Sequence, residues 1–70
     1  MTLRPRISIF GLGRVGLCLA TCYASKGFHV IGVDVDKRKL EIIEGGEAPF
    51  YEPGLYELLK KSLDSNHLVL

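Results

Sequence analysis

Ile7-Ser8-Ile9-Phe10-Gly11-Leu12-Gly13-Arg14-Val15-Gly16 decides how the rest of this chain is read. A β-rich apolar run, predicted as a strand over Arg6–Phe10, stops at a glycine and gives way to G-x-G-x-x-G, with helical spacing beginning at once behind it. Each glycine in that pattern has a physical duty. The first allows a tight turn, the second lets the main chain approach a pyrophosphate, and the third lets the following helix pack close to the strand. The free N–H groups and positive dipole end of that helix then face the phosphate charge.

Working outward, Val15, Leu19, Cys22 and Tyr23 recur at helical spacing, and Lys26-Gly27 supplies a cation and a left-handed cap, which predicts a helix over residues 14–26. The near-continuous apolar run Phe28-His29-Val30-Ile31-Gly32-Val33 reads as a parallel strand covered on both faces, closed by Asp34. Asp36 is placed to cap a second helix through Lys39, Leu40, Ile43 and Glu44, ended by Gly45-Gly46. After a loop over residues 47–52, Pro53 is taken as the first position of a third helix, with Leu55, Leu58, Leu59 and Leu63 on one face and Glu57 four before Lys61. His67-Leu68-Val69-Leu70 reads as the start of a third strand, after the polar turn Asp64-Ser65-Asn66.

The order β-α-β-α-α-β predicts an α/β, Rossmann-like parallel sheet with flanking helices. Because the pattern leaves much apolar surface on both sides of three strands, residues 1–70 are expected to be the N-terminal part of one longer domain.

The glycine pattern gains specificity from Asp34, which falls 23 positions after Gly11 at the end of the next strand. An acid there accepts hydrogen bonds from the adenosine ribose and repels a 2′-phosphate, so NAD is expected over NADP. The alternative for Asp34 is a plain cap at the strand end. The basic run Lys37-Arg38-Lys39 admits two readings, a phosphate contact or a solvated first turn, of which the second is the simpler.

With 70 residues, 47% hydrophobic and 24% charged, and a net charge of +1, the composition is that of an ordinary globular core without a basic field for nucleic acid. No apolar stretch approaches the roughly 20 residues that span a bilayer. The opening Met1-Thr2-Leu3-Arg4-Pro5-Arg6 lacks a signal-peptide core, so a cytoplasmic protein without membrane partners is expected. Cys18 and Cys22, four apart on a helix, read as small apolar residues, and no metal is expected.

Three stretches together resemble a known family: the glycine loop itself, then Val30-Ile31-Gly32-Val33-Asp34-Val35-Asp36, then Pro49-Phe50-Tyr51-Glu52-Pro53-Gly54-Leu55. The chain resembles the nucleotide-sugar dehydrogenases that include UDP-glucose and GDP-mannose dehydrogenases, and the third stretch is the most particular to them. The resemblance implies NAD as cofactor and a two-step oxidation of a nucleotide sugar's primary alcohol to the carboxylate, through an enzyme-bound thioester. It also implies a homo-oligomeric enzyme whose catalytic residues lie downstream, so none is named here. Cofactor contacts carried over by position are Gly11, Leu12, Gly13, Arg14, Val15, Gly16, Asp34 and Lys39.

Arg14 departs from the family's usual tyrosine and is read as extending into solvent rather than toward the pyrophosphate, and Phe28 departs from a commoner histidine and is read as packing. Glu52, just before Pro53, is read as the cap of the third helix, and His29 and His67 are assigned no partner. Competing functions are a non-enzymatic nucleotide sensor of the kind that regulates potassium transport, and another Rossmann oxidoreductase such as a hydroxyacid dehydrogenase. The Tyr51-Glu52-Pro53-Gly54-Leu55 segment argues against both.

Overall fold

The computed structural model describes residues 5–70. The first four residues, on which part of the signal-peptide reading rests, lie outside them. The elements run β1 (Arg6–Phe10), α1 (Arg14–Ser25), β2 (His29–Val33), α2 (Lys37–Glu44), α3 (Leu55–Asp64) and β3 (Leu68–Val69). The three strands form one parallel sheet in the order β1-β2-β3, with Ile7 opposite Val30, Phe10 opposite Val33, and Val30 opposite Leu68. This is the α/β Rossmann-like arrangement that the alternation of elements predicts.

Alternation along the strands divides the sheet into two unlike faces. Val30 and Leu68 are buried, and Ile7 and Ile9 pack against the same core, where Leu17, Ala20 and Ala24 of α1 meet Leu55 and Leu59 of α3. Ile43 of α2 closes this core. The opposite face carries Phe10, Ile31, Val33 and Val69, all exposed among the described residues. The expectation of apolar surface left bare on both sides is therefore corrected, because α1 and α3 cover one of them.

Polar groups inside the core are satisfied locally: the Thr21 hydroxyl donates to the Cys18 carbonyl at 3.0 Å, and that of Ser62 to the Leu58 carbonyl at 2.7 Å. Gly32 leaves a notch in β2, since a Cβ there would stand 3.0 Å from methyl groups of both Leu12 and Leu70. Leu12, fully buried, fills it.

Element ends differ from the sequence reading in ways the backbone explains. α1 stops at Ser25, with Lys26 as its cap and Gly27 at φ +92°, and β2 begins at His29 rather than Phe28. Phe28 instead packs edge-on against Tyr23, ring centroids 5.7 Å apart, the packing role expected of it.

α3 starts at Leu55, not at Pro53. The Leu55 amide donates to the Glu52 carbonyl at 3.1 Å, and Gly54 sits at φ 80°, ψ −10°, so Glu52 to Leu55 form a type II turn with proline and glycine in its central positions. Glu52 does not cap α3, whose N-cap Gly54 has no side chain with which to do so. His67 also falls outside β3, and its ring stacks on that of His29 at 5.1 Å, giving both histidines the partner that the sequence did not reveal.

Candidate functional site: the glycine loop and its acid

β1 delivers the chain to the glycine loop at the carboxyl end of the sheet, where the Gly11 amide donates to the Val33 carbonyl of the neighbouring strand at 2.7 Å. Gly11 needs to be glycine because its φ is +91°. Gly16 needs to be glycine because a Cβ there would collide with the Gly11 carbonyl oxygen. The loop thus folds back on the first turn of α1.

Gly13 is different. Its φ of −74° and ψ of −165° suit any residue, and a Cβ built on it meets no protein atom within 4 Å. Neither strain nor packing within the described residues calls for glycine there. Gly13 is also the N-cap of α1 and offers no side-chain cap, so the opening amides of a 12-residue helix face outward uncapped.

Asp34 lies just past β2, its side chain only 7% exposed, and holds the loop from behind. Its Oδ2 accepts from the Leu12 amide at 2.7 Å and from the Lys39 ammonium at 3.4 Å, and its Oδ1 accepts from the Asp36 amide at 2.9 Å. The Asp36 and Leu12 amides, helped by Lys39, hold its carboxyl below the ordinary aspartate value against the opposing effect of burial. A carboxylate offers about four lone-pair positions, so three donors leave room for one further donor such as a sugar hydroxyl.

Lys39 is therefore not simply part of a solvated turn, since it folds back onto Asp34. Asp36 caps α2 as expected, its carboxylate accepting from the Lys39 amide at 3.1 Å.

Arg14 is exposed, as read from the sequence, but it is anchored to a neighbouring loop rather than free in solvent. Its Nη1 donates to the Tyr51 carbonyl at 3.1 Å and to Glu52 Oε2 at 3.0 Å, while its guanidinium carbon lies 4.9 Å from the centre of the Phe50 ring. Tyr51, Glu52 and Phe50 are residues that sequence reasoning did not bring to the site. Charge pairing between Arg14 and Glu52, 38 positions apart, carries no local sequence signal.

Leu12, Gly13, Arg14, Lys39, Pro49 and Phe50 together line a cavity of about 270 Å³ beside the start of α1. Val15, exposed, lies on the other flank of α1 with Cys18, Leu19 and Cys22. Burial pushes the Cys18 thiol up, with Glu52 and Cys22 adding to the effect and Arg14 opposing it, the reverse of an activated thiolate. Among the described residues no cluster of three or more metal-ligating side chains occurs, and no helix is long and apolar enough to cross a membrane.

These residues fit a dinucleotide: a glycine with open space where its side chain would stand, a helix start without a side-chain cap to meet a diphosphate, and a charged acid with a lone pair left for a ribose hydroxyl. Residues 5–70 match the model of the UDP-glucose/GDP-mannose dehydrogenase family, NAD binding domain. GDP-mannose 6-dehydrogenase of Pseudomonas syringae pv. syringae is 48% identical over 63 residues, which cover 90% of this chain and 14% of that protein. UDP-N-acetyl-D-mannosamine dehydrogenase of Methanococcus maripaludis is 40% identical over 63 residues, 90% of this chain and 15% of that protein.

Among solved structures, a UDP-glucose dehydrogenase from Pyrobaculum islandicum superposes with a TM-score of 0.92 at 37% identity, over 96% of this chain and 16% of that one. GDP-mannose dehydrogenase from Pseudomonas aeruginosa, in a ternary complex, gives 0.89 at 46% identity, over 93% and 15%. The chain thus spans a small fraction of its relatives' length, and over that span it belongs to the UDP-glucose/GDP-mannose dehydrogenase family, matching that family's NAD binding domain.

Proposed function

We propose that this chain holds the NAD of a nucleotide-sugar 6-dehydrogenase that oxidises the primary alcohol of a UDP- or GDP-sugar to the carboxylate in two NAD-dependent steps. The bound nicotinamide supplies the hydride acceptor for each step. In this reading, the main chain at Gly11, Gly13 and Gly16 shapes the phosphate turn, and the start of α1 at Arg14 and Val15 presents its amides to the diphosphate. Asp34 takes the adenosine ribose and disfavours a 2′-phosphate, and Lys39 lies at the adenosine end. Leu12 contributes through its fit in the loop, since its own amide is engaged by Asp34.

Catalytic residues and most contacts to the nucleotide sugar belong, in this proposal, to segments beyond residue 70. The complete enzyme is proposed to be a cytoplasmic homo-oligomer, with neither nucleic acid nor membrane as partner. The identity of the protein's relatives supports the reaction class.

The observation that carries the proposal is Gly13, a glycine that neither its backbone angles nor the packing of the described residues requires. Calorimetric titration of the complete protein with NAD and NADP tests it. Gly13→Ala is expected to keep its stability within about 1 kcal/mol, as for a change of N-cap residue. Its NAD affinity is expected to fall roughly tenfold or more, because the new methyl group occupies the diphosphate's space. Gly16→Ala is expected to lose stability and binding together. Unchanged NAD binding by Gly13→Ala, or tighter binding of NADP than of NAD by the wild type, sinks the reading.

A further inference from the structure

We propose that Arg14 is a positioning residue that fastens residues 50–52 against the glycine loop as one wall of the cofactor site, so that NAD affinity depends on Glu52, an acid that touches no phosphate. This rests on the reading of the loop as an NAD site. One planar guanidinium makes three contacts to consecutive residues: the Phe50 ring, the Tyr51 carbonyl and the Glu52 carboxylate. Phe50 and Pro49 line the same cavity as Gly13 and Lys39, so what Arg14 holds in place is a surface that the dinucleotide meets.

The pair is exposed, with side chains 61% and 42% accessible, and its contribution to global folding is correspondingly small. Its effect is local. The loop between α2 and α3 lies 37 and more positions from Arg14 in sequence, and among the described residues this guanidinium is the side chain that ties residues 51 and 52 to the start of α1. With Nη1 shared between two acceptors, Arg14 is turned toward the loop rather than toward the diphosphate.

The sign of one substitution separates this from simple charge attraction. If only through-space electrostatics operated, Glu52→Gln would remove a negative charge near a diphosphate and leave Arg14 free, and NAD would bind more tightly. A fastened wall predicts the opposite: Glu52→Gln weakens NAD binding by roughly two- to fivefold at low salt, the range of an exposed ion pair. The difference from wild type shrinks as salt screens the pair. Arg14→Gln, which also loses the Tyr51 and Phe50 contacts, weakens binding by at least that factor, and adding Glu52→Gln to it costs nothing more, because the partner is already gone.

The complete protein is titrated with NAD for wild type, both single variants and the double variant, at low and high salt. Amide hydrogen exchange over residues 50–52, measured without NAD, is expected to speed up in either single variant. Tighter or unchanged NAD binding by Glu52→Gln, additive losses in the double variant, or unchanged exchange over that loop overturns the proposal. Failure of the NAD site itself is read separately, from Gly13→Ala retaining full affinity while the exchange result stands.

Discussion

Asp34 holds the glycine loop with the same carboxylate that is proposed to take the ribose. Its position after the second strand made it visible in the sequence as a ribose acid, but its bonds to the Leu12 and Asp36 amides were not legible, because main-chain donors leave no mark in residue types. Those bonds favour the charged form, so the folded protein holds Asp34 below the ordinary value of 3.8. A group depressed in the folded state stabilises fully above the unfolded value, and that stabilisation is lost as pH falls through the folded value. The acid limb of a melting-temperature profile below about pH 4 is therefore expected to be shallower in Asp34→Asn than in wild type. At neutral pH the same variant is expected to bind NAD more weakly. An acid limb indistinguishable from wild type would count against the bonding described.

At the scale of elements, strand and helix identity came through because periodicity survives in a chain this regular: two strands and three helices fall where apolar spacing puts them, and β3 is shorter than the run that announced it. The start of α3 did not come through. Pro53 suits a first helical turn and also the second position of a type II turn, and the residue that decides between them is Gly54, whose φ of 80° excludes it from a right-handed helix. Read as a pair, Pro53-Gly54 carried the signal. Gly54→Ala places a Cβ in the left-handed region and is expected to cost about 1–2 kcal/mol, measured as a lowered midpoint in urea. The Arg14 contacts to Tyr51 and Glu52 follow from where this turn sets the loop, a relation between distant residues that spacing along the chain does not encode.

At the largest scale, the core of the described residues lies on one face of the sheet, where Leu17, Ile43, Leu59 and Leu68 are all but inaccessible. Leu59 sits between α3 and the rest of this core, so Leu59→Ala is expected to destabilise by about 2–5 kcal/mol. Chemical denaturation of the complete protein checks this, and a loss below about 1 kcal/mol would mean that α3 is not integral to the core. The division of the sheet into a covered and a bare side was only half legible, since apolar strands announce burial without saying which helices supply it. Leu12 in the notch over Gly32 ties the phosphate turn to this core by shape. Turn and scaffold are consequently not interchangeable parts: a chimera that imports another protein's nucleotide-gripping hexapeptide must bring a side chain of matching bulk at position 12, or it inherits a void under the graft or a collision with the second strand.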